Sequence, residues 1–315
     1  MDEAKGTGAG PVIGFIGGSG VYDLEGLRHQ HWVRVDSPFG DPSDELLFGD
    51  LDGQPLVFLP RHGRGHRIPP SAINYRANID AMKRAGVTDL VSVSAVGSLR
   101  EDLRPGAFVI VDQFIDRTFA RTKSFFGPGL VAHVSMAHPV CHRLGDHLEA
   151  AARAAGIEAV RGGTYLVMEG PQFSTLAESR LYRSWGCDVI GMTNMPEAKL
   201  AREAELCYAT VAMVTDYDCW QSESDLDLSL DHDGVHGHAP VTVDAIVQVL
   251  LANADRARSL AGQVAARLGA DPQAAACPCR RALEHALITA PGQRDPALLQ
   301  HLDAVAGRLL NPPQA

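Results

Sequence analysis

The stretch Tyr208-Ala-Thr-Val-Ala-Met-Val-Thr-Asp-Tyr-Asp-Cys-Trp220 decides the fold class of this chain. Residues 208–214 form an apolar run of strand length, the pattern of a strand buried on both faces of a sheet. Asp216 and Asp218 follow, and carboxylates two residues apart point the same way where a chain stays extended. Because ligands of α/β proteins bind at the carboxyl ends of such strands, the pair is a candidate site. An acid here can also cap a helix, and the spacing alone leaves both interpretations open.

Strand and helix patterns alternate along the rest of the chain, which predicts an α/β fold with a sheet flanked by helices. Strands are predicted at residues 12–16, 45–50, 55–59, 90–95, 108–112 and 189–193. Helices are predicted at residues 71–85, 142–155, 177–185, 197–206, 241–268 and 296–310. We expect residues 1–11 to be a disordered lead-in, residues 12–292 one domain, and residues 293–315 a C-terminal helical extension.

The composition is that of a globular protein, with 45% hydrophobic and 21% charged residues among 315. The net charge of -10 argues against a nucleic-acid partner, because domains that bind the phosphate backbone are usually basic. No apolar run reaches the length that spans a bilayer, and the acidic, Gly-rich N-terminus has no apolar signal region. We therefore expect a cytoplasmic protein without a membrane partner.

The six cysteines are scattered along the sequence, at Cys141, Cys187, Cys207, Cys219, Cys277 and Cys279. In a cytoplasmic chain most of them should be reduced and buried as small apolar side chains. Cys277 and Cys279 form a close pair, but a single residue separates them where a redox or zinc motif has two. The favoured interpretation is structural, and a Cys277–Cys279 disulfide is the alternative.

Two segments suggest an anionic ligand. Gly17-Gly-Ser19-Gly20 follows the first predicted strand, where glycines let backbone N–H groups approach an anion and Ser19 adds a hydroxyl. A dinucleotide site would instead need G-x-G-x-x-G before a long helix. In the basic segment 61–67, Arg61 could grip phosphate oxygens in bidentate fashion while His62 donates a further hydrogen bond. A solvated basic loop is the alternative for this segment.

Two later segments carry weaker signals. Glu169-Gly-Pro-Gln-Phe-Ser174 brings an acid, an aromatic ring and a hydroxyl to a glycine–proline break, which suits a base-stacking pocket or a plain turn. Residues 221–240 are rich in Asp, Ser, Gly and His, but the histidine spacing matches no zinc template. A mobile loop is the favoured interpretation of that stretch.

Six motifs, in this order between about residues 12 and 256, resemble those of the trimeric purine nucleoside phosphorylases, most closely the branch that acts on 5′-methylthioadenosine. They are residues 17–20, 60–64, 94–99, 112–118, 169–174 and 215–220. The resemblance implies a single-domain fold with a mixed central β-sheet flanked by helices. It also implies a homotrimer or hexamer, in which His133 reaches the site of the neighbouring subunit.

The resemblance further implies which residues hold each part of the substrates. Phosphate, a co-substrate, would be held by Ser19, Arg61, His62, Ser94, the Ala95 backbone and Thr193. The nucleoside would be bound by Met192 at the ribose, Phe173 at the purine face, Tyr217, Asp216 at N7 and Asp218 at the 6-amino group. Specificity would depend on Ser174 near the base and on Val243 at the 5′ substituent. Residues 222–239 could form a lid over the 5′ group.

The implied reaction is phosphorolysis of the N-glycosidic bond of 5′-methylthioadenosine to adenine and 5-methylthioribose 1-phosphate, a step of purine and methionine salvage. The departing purine gathers charge, which a proton or strong hydrogen bond from Asp216 at N7 relieves. Such an acid must be protonated near neutral pH, and a second carboxylate in a partly dry pocket raises the pKa of the first. Positioning and electrostatics supply the rate, so we expect no metal and no organic cofactor.

Asp218 favours a 6-aminopurine, because a carboxylate accepts from an amino group and opposes a 6-oxygen. An unpaired buried polar group costs about 1–3 kcal/mol, or roughly tenfold to a hundredfold in selectivity. Three alternatives remain at this point: a 6-oxopurine nucleoside phosphorylase, a nucleosidase that uses water, and a non-catalytic nucleoside-binding protein. Asp218 disfavours the first, and the anion-binding residues disfavour the other two.

Overall fold

The computed structural model describes residues 10–18, 24–223 and 243–310. Its strands are β1 (Ile13–Gly17), β2 (Arg28–Val33), β3 (Leu46–Leu51), β4 (Gln54–Pro60), β5 (Asp89–Ser98), β6 (Phe108–Val111), β7 (Gln113–Asp116), β8 (Ala159–Arg161), β9 (Thr164–Val167), β10 (Val189–Gly191) and β11 (Cys207–Tyr217). Its α-helices are α1 (Tyr75–Arg84), α2 (His142–Ala154), α3 (Leu176–Ser184), α4 (Asn194–Glu203), α5 (Val243–Gly269), α6 (Pro296–His301) and α7 (Asp303–Leu310).

The strands form one mixed sheet, which confirms the predicted α/β class. Along its main path the order is β2-β3-β4-β1-β5-β10-β9-β7. The long strand β11 pairs in parallel with β5 and antiparallel with β6, and β8 pairs in parallel with β6. β5 and β11 therefore end at the same edge of the sheet.

β11 is buried on both faces because its alternate side chains enter two different apolar clusters. Ala212 and Val214 pack in a cluster that includes Ile79 of α1 and Leu200 of α4. Val211 and Met213 pack in a cluster that includes residues of α2 and α5, such as Leu144, Leu148, Leu260 and Val264. The apolar run that decided the fold class is thus the centre of a helix–sheet–helix arrangement.

Several predicted boundaries differ from the structure. Helix α1 begins at Tyr75 and not at residue 71, because Pro69 and Pro70 lead into a short 3₁₀ turn and the Asn74 side chain caps the helix at Ala77 N. The helix predicted at 197–206 lies at Asn194–Glu203. The C-terminal helix is two helices, α6 and α7, separated at Leu302. Leu302 and Val305 are buried in the main apolar core.

Four short strands, β2, β7, β8 and β9, carried no clear sequence pattern. β2 reads Arg-His-Gln-His-Trp-Val and is largely exposed at the edge of the sheet, so it lacks an apolar alternation. In contrast, the predicted turn between β3 and β4 is confirmed, with positive φ at Asp52 (50°) and Gly53 (83°).

Some expectations fall outside the described residues. They are most of the lead-in 1–11, Ser19, and nearly all of the stretch 222–239. Within the part of the chain that the structure describes, no helix is long and apolar enough to cross a membrane.

Candidate active site

Asp216 lies near the end of β11, where the pairing of that strand with β5 is irregular. We predicted that the strand would end at Val214, but it continues to Tyr217 through a register shift between Val214 and Asp216. The shift pairs Asp216 with Gly97 of β5. A Cβ added at Gly97 would lie 3.1 Å from Asp216 Oδ1 and 3.5 Å from Asp218 Cβ. The structure therefore brings the two acids together at one point of β5 that has no side chain.

The surroundings of Asp216 make it a weak acid. Burial raises its pKa to about 6, the hydrogen bond from Thr215 opposes the increase, and the charge of Asp218 adds to it. Thr215 Oγ1 lies 2.7 Å from Asp216 Oδ2 and 3.2 Å from the Val96 carbonyl oxygen. A carboxyl group with this pKa is protonated in about a tenth of the molecules at pH 7, so it can donate a proton there.

Asp218 is buried and has a different partner. Ser174 Oγ lies 2.7 Å from each of its carboxylate oxygens, and its backbone N–H donates to Ser98 O at 3.0 Å. A short 3₁₀ helix, Cys219–Glu223, begins at the next residue. The Asp218 side chain accepts from Ser174, so the structure favours a site residue over the helix-capping alternative.

Aromatic side chains lie close to the two acids along the chain. Phe173, adjacent to Ser174, is 46% exposed, an unusual fraction for a large apolar side chain. Tyr217 donates its hydroxyl to Glu101 O at 3.1 Å, and its ring meets Trp220 edge to face at 5.7 Å. The exposed ring of Phe173 is therefore free to contact a ligand, whereas the Tyr217 ring is held by protein contacts.

Three hydroxyl groups converge where β5, β9 and β10 meet. Ser94 Oγ lies 3.0 Å from Thr193 Oγ1 and 3.0 Å from the Tyr165 hydroxyl. Tyr165 reaches this point across Gly191, where an added Cβ would clash with the tyrosine oxygen. The predicted residues Ser94 and Thr193 are thus brought together. Tyr165 is an addition that the sequence analysis did not single out.

The hydroxyl group cluster and the acid pair lie along the same strand. Ser94 and Gly97 are three residues apart in β5, which corresponds to about 10 Å along an extended strand. Ala95, whose backbone was predicted to bind phosphate, lies between them and is partly exposed. Hydroxyl groups that can bind an anion therefore lie at one end of this stretch and a weakly acidic carboxyl group lies at the other.

Arg61 lies deeper in the protein than the sequence suggested, with 2% of its side chain exposed. Its Nε and Nη2 atoms bind Glu197 at 2.8 and 3.1 Å, and further bonds go to Val93 O, Ile16 O and Ser92 Oγ. The solvated-loop alternative is therefore wrong for Arg61. The guanidinium group already donates to these protein acceptors, so a phosphate oxygen would have to join or replace some of them.

His62 is uncharged at neutral pH. Burial lowers its pKa to about 4, and the nearby charge of Arg61 lowers the pKa further. The hydrogen bond to Ile68 has the opposite effect and raises the pKa. Its Nδ1–H donates to Ile68 O at 2.8 Å, and its ring stacks on His66. Because a carbonyl oxygen can only accept, Nε2 of the neutral ring carries a lone pair. In this arrangement His62 accepts a hydrogen bond rather than donating one to an anion.

A buried ion pair of Arg121 and Glu169 fixes the loops beside Met192. Arg121 Nη1 donates to Met192 O at 2.6 Å and to Met195 O at 2.7 Å, and Nε donates to Glu169 Oε1 at 3.2 Å. Burial opposes ionisation of Glu169, but hydrogen bonds from Ser71 and the Phe119 and Ala120 N–H groups lower its pKa to about 2. Sequence reasoning missed Arg121, since no local pattern marks a residue whose partners are distant along the chain.

Two candidates implied by the resemblance remain. His133 is exposed, and its backbone N–H donates to Ala286 O at 2.9 Å. Val243 is the first residue of α5, but its side chain lies outside the described part of the structure. The cysteines are scattered along the sequence, but four of the six converge at the start of β11, far from Asp216. All six are free thiols.

Comparisons with known proteins agree with this geometry. The family model described as "Phosphorylase superfamily" matches residues 12–264. The S-methyl-5′-thioadenosine phosphorylase of Cereibacter sphaeroides is 62% identical over 299 residues, which cover 95% of this chain and 98% of that protein. The protein of the same name from Rhodospirillum rubrum is 62% identical over 300 residues, covering 95% and 97%.

The similar solved structures are also methylthioadenosine phosphorylases. A methylthioadenosine phosphorylase from an antarctic soil metagenomic library is 44% identical, with a TM-score of 0.84, and the match covers 94% of this chain and 99% of that one. A mutant adenosine/methylthioadenosine phosphorylase from Schistosoma mansoni, solved with methylthioadenosine, is 36% identical with a TM-score of 0.75, over 87% and 96% of the two chains. This chain therefore belongs to the phosphorylase superfamily and, within it, to the family of the S-methyl-5′-thioadenosine phosphorylases.

Proposed function

We propose that this enzyme cleaves 5′-methylthioadenosine with inorganic phosphate, giving adenine and 5-methylthioribose 1-phosphate. The observation that carries the proposal is the arrangement along β5. Hydroxyl groups meet at Ser94, and the weakly acidic carboxyl group of Asp216 lies beside Gly97 of the same strand. Relatives that are 62% identical bear the name of this activity. Phosphate is the co-substrate, and the chemistry calls for no organic cofactor.

Asp216 acts as the acid at N7 of the purine. As the glycosidic bond lengthens, electrons move into the purine ring and the sugar becomes cationic, so a proton at N7 lowers the barrier to departure. The pKa of about 6 keeps this proton available near neutral pH. Asp218 accepts from the 6-amino group of adenine, and Ser174, 2.7 Å from both of its oxygens, holds it in place.

Phosphate binds at the hydroxyl groups of Ser94 and Thr193, with the Ala95 N–H and Ser19 as further donors. Tyr165 orients Ser94 through the 3.0 Å contact between their oxygens. The buried charge of Arg61 attracts the anion, and His62 accepts a hydrogen bond from phosphate that carries a proton, since its Nε2 holds a lone pair. The held phosphate then attacks the sugar carbon from which the purine departs.

The sugar and its 5′ group occupy the space between these two ends. Met192 lies against the ribose, and Arg121 fixes its backbone by donating to the Met192 and Met195 carbonyl oxygens and to Glu169. Phe173 stacks on the purine, which its exposure permits. We assign Val243 to the 5′ pocket.

The proposed enzyme is a cytoplasmic homotrimer of purine and methionine salvage, in which His133 completes the neighbouring site. Its exposure on one chain leaves it available to a second copy. Asp216→Asn and His133→Ala chains test this, because each is expected to be nearly inactive alone. After mixed refolding, about one quarter of the sites would combine both intact residues, so activity should return. No recovery from well-folded mixed oligomers would show that sites are not shared.

The reaction itself is tested by incubating the protein with 5′-methylthioadenosine, with and without phosphate, and separating the products. Phosphate-dependent release of adenine with 5-methylthioribose 1-phosphate is the expected result. Equal release without phosphate would make the protein a nucleosidase. Cleavage of inosine with no cleavage of 5′-methylthioadenosine would make it a 6-oxopurine phosphorylase.

A further inference from the structure

Four cysteines from three distant parts of the chain meet in the interior. Cys141 precedes α2, Cys207 opens β11, and Cys277 and Cys279 belong to the 3₁₀ turns that follow α5. Their sulfur atoms all lie within 4.8 Å of one another, and each residue is at most 6% exposed. Soft, closely spaced thiols of this kind are the ligands that zinc prefers in structural sites.

The distances suit a tetrahedral metal site. Zinc–thiolate bonds are about 2.3 Å long, so the sulfurs of a tetrahedral site lie about 3.8 Å apart. Cys141 Sγ and Cys277 Sγ are 3.6 Å apart. A disulfide would bring two sulfurs to about 2.05 Å, and all six cysteines here are free thiols. The cluster therefore resembles a four-ligand cage more than a pair of disulfide bonds.

An arginine offsets part of the charge that such a site would carry. Zinc with four thiolates has a net charge of minus two, which is costly to bury without a counter-charge. Arg202 Nη1 lies 3.4 Å from Cys279 Sγ. Arg143, in the first turn of α2 and two residues after Cys141, is paired with Asp89 and Asp271. The Arg202 guanidinium thus occupies the position of an outer partner to the thiolates.

We propose that Cys141, Cys207, Cys277 and Cys279 bind one structural Zn²⁺ ion per chain. On binding, the four thiols release their protons to solvent and become thiolates. Four protein ligands leave no open position for water or substrate, and the site is about 30 Å along β11 from Asp216, so its role is structural. The ion fastens the segment after α5 to the start of β11 and to the first turn of α2.

Metal analysis of the purified protein tests the proposal. The chain is expressed in zinc-supplemented medium, purified in reducing buffer without chelator, and measured by mass spectrometry for zinc per chain. We expect one zinc in the wild type and almost none in Cys277→Ser/Cys279→Ser. Cys187→Ser, which changes a buried cysteine outside the cluster, should keep its zinc. A thiol-modifying mercurial should release the metal, measured with a zinc-binding dye.

Further readouts separate the metal from other states of the thiols. Cobalt(II) added to metal-free wild-type protein should give the absorption bands of a tetrahedral tetrathiolate site, and a chelator should lower the Tm of the wild type and not of the double variant. A zinc-free protein whose intact mass is lower by the hydrogens of disulfide bonds would overturn the proposal. Zinc-free protein with six titratable thiols that takes up neither zinc nor cobalt would also overturn it. Both wild-type measurements decide the question even if the double variant does not fold.

Discussion

The carboxyl group of Asp216 rests against the backbone of Gly97, the residue with which it pairs across β5 and β11. The contact exists because the register of β11 shifts after Val214, which turns the acid toward β5, and because Gly97 presents no side chain there. On its other side Gly97 pairs with Ile190 of β10, whose Cγ2 would lie 3.2 Å from an added Cβ. A side chain at residue 97 would therefore meet atoms of both neighbouring strands, β11 and β10.

Gly97→Ala should reduce turnover by displacing the acid. The new methyl group would lie 3.1 Å from Asp216 Oδ1, so the carboxyl group must move by a few tenths of an ångström. Because a misplacement of about 1 Å can cost a hundredfold in rate, we expect a loss of about tenfold in kcat. Gly262→Ala in α5, where the new atom makes an ordinary 3.7 Å contact, is the control and should keep full activity. Equal kinetics in the two variants would show that Gly97 does not position Asp216.

The pH dependence of kcat/KM should report the proton on Asp216. In the free enzyme the acid form is required, so kcat/KM should be level below pH 6 and fall tenfold per unit above it. Asp216→Asn keeps an N–H donor for N7 but has no proton to lose. We expect it to lose about 10² to 10⁴-fold in kcat/KM and to lack this descent. Titration of phosphate affects both enzymes equally, so parallel profiles would exclude Asp216 as the group that titrates.

The same substitution should stabilise the protein at neutral pH. Folding raises the pKa of Asp216 from 3.8 to about 6, so the folded state binds the proton more tightly than the unfolded state. The free energy of unfolding of the wild type therefore falls, by up to about 3 kcal/mol, as the pH rises from 4 to 6. Asparagine does not titrate, so the free energy of unfolding of Asp216→Asn has no such decrease. The difference in this free energy between the variant and the wild type should therefore grow from pH 4 to pH 6 and stay level above pH 6. Denaturant unfolding at several pH values measures this difference in the free energy of unfolding. Asp146→Asn, which changes an exposed aspartate, is the control.

Tyr165→Phe should weaken phosphate binding while leaving the nucleoside site intact. Without its hydroxyl, Ser94 loses a 3.0 Å partner and is no longer held toward Thr193. Since a hydrogen bond of this kind contributes about 1 kcal/mol, we expect the KM for phosphate to rise about fivefold. The KM for 5′-methylthioadenosine serves as the internal control and should change little. A variant in which both values rise together would indicate a general loss of the fold.

The sequence predicted those parts of the site that depend on local patterns. The run 208–214 and the acids behind it indicated a buried strand with a site at its end, and β11 confirms the buried strand. The register shift at Thr215 was not predictable, since it depends on pairing with β5. The burial of Arg61 against Glu197 and the roles of Tyr165 and Arg121 depend on partners far along the chain. The cysteine cluster escaped detection for the same reason, because spacing along the chain says little about distances after folding.

Asp218→Asn should shift base selectivity toward 6-oxopurines. An asparagine presents an N–H group that can donate to a 6-oxygen, whereas the carboxylate of Asp218, fixed by Ser174 at 2.7 Å, only accepts. Removing the acceptor–acceptor conflict is worth about 1–3 kcal/mol, so the ratio of kcat/KM for 5′-methylthioinosine over 5′-methylthioadenosine should rise about tenfold to a hundredfold. The two substrates share the same 5′ group, so the ratio isolates the base. Ser174→Ala, which loosens Asp218 but keeps its charge, should lower both rates and leave the ratio near that of the wild type. If the ratio changes as much in Ser174→Ala as in Asp218→Asn, selectivity depends on the position of the side chain and not on its ability to donate.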